Sequence, residues 1–194
     1  MVDEVYMEST ASPQLIDPFE HLLDSPASNK KKYVGLLSEK PNKMMEAYPG
    51  AYLYYKGTRY FVLDESQKKI TYYMSWKERQ ISGHTAAYQV LVWSDIGTPE
   101  IRSFASIVFF DLLFGEYDLI VTDRLQSPSG RRFWLSIVAT AIKSGYPIYL
   151  VDLINNTKVQ MHSSQEILDK SDFIWPKHEI GKSRLLCIAK TKIW

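Results

Sequence analysis

The stretch that decides the fold is TPEIRSFASIVFFDLLFG, residues 98–115. Its apolar side chains recur at intervals of three and four residues, which is the spacing of one broad face of an amphipathic helix. The residues on this face are Ile101, Phe104, Ala105, Val108, Phe109, Leu112 and Leu113. Thr98 stands at the N-cap position, Pro99 at the first helical position and Gly115 at the end. We therefore predict a helix across this stretch.

On both sides of this helix the apolar pattern changes to that of strands. Tyrosine-rich and β-branched runs separated by turn residues predict an antiparallel meander before it. The predicted strands of this meander are 52–55, 59–63, 70–76 and 86–93. After the helix, strands and helices alternate. The predicted elements are a strand at 117–121, a helix at 129–143, a strand at 147–153, a brief helix from Ser163 and a last strand at 184–191.

The first fifty residues carry weaker signals. Residues 1–32 are predicted to be an arm with one short helix at 12–23, and Lys30, Lys31 and Lys32 are predicted to lie in a solvated loop. We expect a strand at 33–37 and a short helix at 41–48. The chain is thus divided into residues 1–50, an arm with the first fold elements, and residues 51–194, the core.

Composition narrows the class of protein. The chain has 194 residues, 45% of them hydrophobic, and a net charge of +1, which favours one globular domain and gives no strong nucleic-acid signature. Cys187, the sole cysteine, lies in an apolar run and is predicted to be a buried hydrophobe. The four histidines are scattered, so no metal site is predicted. No apolar run is long enough for a membrane span, and we expect a cytoplasmic protein.

The order of meander, long helix, strand, helix, strand, short helix and strand resembles the GNAT-type N-acyltransferases over about residues 51–192. The fold class is accordingly α/β with a mixed sheet, in which an antiparallel meander precedes βαβ-type units. The resemblance implies acetyl-CoA as cofactor, held in a gap beside the last meander strand. By this resemblance, the cofactor-binding residues are Leu91, Val92, Trp93, Gly97, Thr98 and Ser127.

Two features of the sequence depart from that family's pattern. Of the glycines that hold the cofactor's diphosphate only Gly97 is present, and Asp95 adds negative charge beside it. Phe133 and Trp134 stand where the family has a tyrosine that protonates the leaving thiolate. The predicted catalytic groups are therefore Glu78 and Asp95 as general bases, with His84 as a further candidate, and Tyr149 as the acid.

Two functions remain open on the sequence. One is acyl transfer from acyl-CoA to an amine. The other is a non-catalytic interaction or structural role, in which the same scaffold binds a protein partner. Small GNAT-like proteins of bacteriophages show a similarly degenerate version of the family pattern, and a phage-encoded chain would be virion-associated. The meander tyrosines favour the second role. Three arginines lie close together in the sequence: Arg124, Arg131 and Arg132. The last two stand in the first turn of a predicted helix, where positive charge opposes the helix dipole. This position is explained either by an anionic partner or by chance placement on the solvated side. Oligomeric state is not predicted.

Overall fold

The computed structural model describes residues 23–95, 97–101, 104–122, 128–176 and 183–194. Of residues 89, 90, 128 and 129 it describes the backbone only. Within these ranges one helix is followed by five consecutive β-strands, and helices and strands are interspersed after them. The strands are β1 Asn42–Tyr48, β2 Ala51–Tyr55, β3 Arg59–Asp64, β4 Lys69–Ile81, β5 His84–Ser94, β6 Leu119–Val121, β7 Ile148–Asp152, β8 Thr157–Met161 and β9 Arg184–Ala189.

The described helices lie between and before these strands. Helix α1 is Pro26–Ser38, and a short 3₁₀ turn at Pro99–Ile101 leads towards α2. Helix α2 joins a turn at Phe104–Ser106, a π-helical segment at Ile107–Leu113 and a last turn at Phe114–Glu116. The remaining helices are α3 Pro128–Lys143, α4 Ser164–Asp169 and α5 Ser171–Ile174.

The described strands form one mixed sheet in the order β1-β2-β3-β4-β5-β6-β9-β7-β8. All neighbours are antiparallel except β5 and β6, which are parallel. Strand β9, the last in the sequence, lies between β6 and β7 and pairs with both of these earlier strands. The predicted mixed α/β class is confirmed, and the family-specific arrangement stays a prediction.

The two faces of the sheet are covered differently. One face carries α2, α3, α4 and α5 and holds the larger core, where Trp76 of β4, Phe109 of α2 and Trp134 of α3 are at most 2% exposed. Over the first half of the other face, α1 packs through Tyr33 and Leu36. Such aromatic packing combines large buried apolar area with edge-to-face contacts, which stabilise cores. Phe109 and Trp134 meet in this way, with ring centroids 5.6 Å apart.

Helix α1 is fixed to the sheet by one buried amide. Asn29 donates from Nδ2 to the carbonyls of Leu23 and Ile70, at 3.1 and 3.0 Å, and its Oδ1 accepts from the Ile70 N–H at 2.7 Å. Ile70 lies beyond Tyr72, the last residue of β4 that pairs with β5, so β5 does not reach it. The side chain of Asn29 therefore pairs with β4 as a short piece of strand would.

Most predicted elements of the core are confirmed, whereas the first fifty residues were predicted poorly. The predicted strand at 33–37 and loop at Lys30–Lys32 are wrong, because both lie in α1, where Asn29, Tyr33 and Leu36 share the buried face. The predicted helix at 41–48 is strand β1, which pairs with β2. Pairing with a neighbour overrides local helix propensity there. The predicted helix at 12–23 lies almost entirely outside the described residues, and the division at residue 50 stays a prediction.

Replacing Asn29 by alanine should cost about 2–4 kcal/mol of unfolding free energy, since it removes three hydrogen bonds and leaves the buried Ile70 backbone without partners. Urea unfolding followed by tryptophan fluorescence measures this loss. The neighbouring Lys30→Ala, at an exposed position of the same helix, is the control and should change stability by less than about 0.5 kcal/mol. Equal stability of the two variants would contradict the role of Asn29.

Candidate functional site

The candidate site lies where β5 loses one of its two neighbours. β5 pairs with β4 along its whole length, from His84 to Ser94, but it pairs with β6 only at Ala86, Ala87 and Tyr88. A register shift between β4 and β5 places a bulge just after this point, between Gln89 and Leu91. Bulges bend a strand and increase its local twist. From residue 89 onwards no described strand pairs with that edge of β5.

Three predicted cofactor-binding residues lie on this separated part of β5. Their side chains alternate between faces: Leu91 and Trp93 belong to the cluster under α1, whereas Val92 packs against the larger core. Trp93 also donates from Nε1 to Asp24 at 3.0 Å. These side chains therefore pack within the protein, and what β5 offers on its open edge is backbone N–H and C=O groups.

The turn after β5 is organised by one carboxylate, that of Asp95. Its Oδ1 accepts from the Gly97 N–H at 2.9 Å, and its Oδ2 accepts from Thr98 Oγ1 at 3.0 Å and from Lys69 Nζ at 2.9 Å. An amide, a hydroxyl and an ammonium thus converge on a single anion. This is the donor set that binds phosphate oxygens in proteins, here satisfied by a side chain of the chain itself.

The charge of Asp95 is stabilised in this position. Burial alone would raise the pKa of its carboxyl, but the hydrogen bonds from Lys69, Gly97 and Thr98 outweigh burial and hold that pKa below its ordinary value. Because the folded-state pKa is depressed, ionised Asp95 stabilises the folded chain at neutral pH. That contribution is lost as the pH falls through the folded-state pKa.

The structure does not bring the three predicted catalytic residues together. Glu78 is exposed on β4 opposite Ala87, while Asp95 follows the far end of β5, about 20 Å away along the strands. Tyr149 of β7 is 2% exposed, and its hydroxyl finds no hydrogen-bond partner. The ring of Trp194 packs edge-on over it, with centroids 4.9 Å apart. The catalytic roles of these residues stay predictions.

His84 lies at the β4–β5 turn, with Nδ1 3.9 Å from Asp118. Arg131 donates to Asp172 at 2.8 Å and also to the Trp175 carbonyl, so its charge is used within the chain. Arg132 is exposed. Ser127 and Arg124 lie outside the described residues.

A second feature, which the sequence did not indicate, is a cleft beside strand β8. Its volume is about 480 Å³, and it lies between the ends of β7 and β8 and the junction of α4 with α5. The lining residues are Leu150, Asp152, Thr157, Val159, Asp169, Lys170 and Phe173. β8 itself was not predicted, because its alternation, Thr-Lys-Val-Gln-Met, is short and only half apolar.

Within the described residues no group of His, Cys, Asp and Glu side chains is close enough to hold a metal ion. None of the described helices is both long and apolar enough to cross a membrane. Comparisons with protein-family models, with curated proteins and with solved structures find no match.

The burial of the Cys187 thiol can be tested chemically. Cys187 lies on β9 and is fully buried, as the sequence predicted, and burial raises the pKa of its thiol. Because the thiolate is the reactive form, the folded protein should not react with an aromatic disulfide reagent over hours at neutral pH. The same protein in denaturant should release one equivalent of the coloured thiolate. Rapid reaction of the folded protein would contradict the burial of Cys187.

Proposed function

We propose that this chain is a GNAT-like protein that acts by binding a macromolecular partner and not by transferring an acyl group. The GNAT-like part of the proposal is supported by the element order and by the sheet. An antiparallel meander is followed by the parallel pair β5 and β6, which share three residue pairs over the full length of β6. A bulge in β5 follows the last of these pairs. The resemblance implies a gap at this point, beside the last meander strand.

The observation that carries the binding role is the carboxylate of Asp95. In the resemblance, the cofactor's diphosphate would lie against the turn of residues 94–98 and the helix start that follows. The Gly97 N–H, the Thr98 hydroxyl and the Lys69 ammonium there already bond to Asp95. A diphosphate would have to displace this carboxylate and then lie next to its charge. Like charges at contact distance repel by several kcal/mol when they are partly desolvated.

The separation of the candidate catalytic groups also favours binding over chemistry. A general base and a general acid must both reach the reacting atoms by hydrogen bonds. Glu78 lies opposite Ala87, two residues before the open part of β5, and about 20 Å along the strands from Asp95. Tyr149 is covered by Trp194 and reaches no polar group. No pair of these groups shares one reaction centre.

The second candidate function is acyl transfer from acetyl-CoA to an amine, and the open edge of β5 favours it. Backbone groups from residue 89 onwards have no described strand partner on the β6 side. They would bond an extended ligand in the way that a neighbouring strand would. The thioester supplies the activated acyl group, and the role of β5 would be to hold and orient it. This function requires Asp95 to leave the turn.

Calorimetric titration with CoA and with acetyl-CoA separates the two functions. The wild-type chain should show no binding at millimolar ligand. Asp95→Ala frees an amide, a hydroxyl and an ammonium together, so this variant should gain measurable CoA binding, at least tenfold tighter than wild type. Asp111→Ala, which removes the same charge from the exposed side of α2, is the matched control and should not bind CoA.

Two results would contradict the proposal. Micromolar binding of acetyl-CoA by the wild-type chain, with acetylation of an amine, would establish the second function. A folded Asp95→Ala variant that binds no CoA would show that the donors around Asp95 do not form an anion site. Circular dichroism and the melting temperature establish that the variants are folded before they are titrated.

A further inference from the structure

The two edges of the sheet differ in how they are protected. Strand β1, at one edge, carries two register shifts against β2, and such bulges prevent a further strand from pairing regularly. Strand β8, at the other edge, pairs with β7 over five consecutive residues without a shift. It contains no proline, and its outer edge has no partner strand among the described residues. An edge of this kind is a template for another strand.

The side chains around β8 are also exposed and apolar. Val159 is 47% exposed on the face that carries α4 and α5, and Phe173 of α5 is 50% exposed beside it. Both line the cleft of about 480 Å³. Ile154, in the turn before β8, is 72% exposed. Neighbouring exposed apolar groups next to an unpaired strand are typical of a surface that another protein covers.

We infer that a second copy of this chain covers this edge, with its β8 antiparallel to the first and a two-fold axis at Val159. In that register Val159 faces Val159, Lys158 faces Gln160 and Thr157 faces Met161, so all five residues of each strand pair. Each lysine stands opposite an amide that accepts hydrogen bonds. No like charges face each other.

The charge of Lys158 favours a two-fold axis at Val159 over an axis one residue earlier. A two-fold axis at Lys158 would place two lysines directly opposite each other, which is destabilising. With the axis at Val159, the two valines lie on the sheet face that carries the two clefts. Each valine continues the exposed apolar surface of Phe173 in its own chain. The interface is isologous, so it closes on itself as a dimer and does not propagate. The inference holds for either function considered above, because the open end of β5 lies on the other side of β6.

Sedimentation velocity over a range of concentrations tests the inference. The wild-type chain should sediment as a dimer at micromolar concentration. Val159→Lys and Val159→Glu each place two like charges at the axis, so each variant alone should be a monomer. When the two variants are mixed, a lysine faces a glutamate, and the dimer should re-form as a heterodimer. This rescue is specific to a two-fold axis at Val159.

The same substitution at the opposite edge provides the control. Met44 of β1 is 44% exposed, close to the exposure of Val159, and Met44→Lys should leave the dimer intact. Melting temperatures of all variants establish that they are folded. A wild-type monomer at every concentration would overturn the inference, as would a dimer that survives Val159→Lys or is lost in Met44→Lys. Failure of the mixed variants to associate would overturn the proposed register.

Discussion

The long antiparallel hairpin of β4 and β5 is the constraint on which the rest of the structure depends. Its ten residue pairs run from the turn between Ile81 and His84 to the pair of Tyr72 with Ser94. Near the turn, β5 pairs with β6 and so joins the meander to the second half of the sheet. At the other end, Ile70 of β4 binds Asn29 of α1, and the chain leaves β5 into the turn of Asp95. The two ends of this hairpin thus contact β6, helix α1 and the turn of Asp95.

The open backbone edge of β5 and the carboxylate of Asp95 lie towards the same end of the hairpin. β6 ends opposite Tyr88, so beyond that residue one backbone edge of β5 has no described strand partner to exclude an extended ligand. Asp95 uses the donors that would hold the charged end of such a ligand, and Lys69 links it to β4. The proposed GNAT-like scaffold thus has an internal anion at the turn where the resemblance would place a diphosphate. Fold alone does not decide between acyl transfer and a binding role, whereas the chemistry of this turn supports the proposed binding role.

The sequence predicted the core well because the hydrophobic period there is decided by burial. The face of α2 was identified from spacing alone, and Phe104, Val108, Phe109 and Leu113 are all buried. The β4–β5 hairpin was likewise recognised from its strands. Helix α1 was missed because it buries only one narrow stripe and leaves Val34 and Leu37 exposed, so that no clear helical face is visible. Strand β1 was missed because only pairing with β2 makes it extended.

The site was predictable in part. Sequence reasoning identified Gly97, Thr98 and Asp95 as neighbours and noted that the charge of Asp95 opposes a diphosphate. It could not foresee that Lys69, 26 residues earlier, donates to the same carboxylate. That contact depends on the register of β4 against β5, which a sequence pattern does not specify to one residue. The cleft beside β8 and the contact of Trp194 with Tyr149 are equally products of tertiary packing.

The most direct test of the account is an NMR titration of the Gly97 amide and the Asp95 carboxyl carbon from neutral to acid pH. If Asp95 holds the turn as described, both signals should titrate together, with a midpoint below the value of about 3.9 that is usual for aspartate. The Gly97 proton should then move upfield as its hydrogen bond to the carboxylate is lost. A midpoint at or above that value, or a Gly97 amide that does not respond, would contradict the internal anion and with it the argument against diphosphate binding.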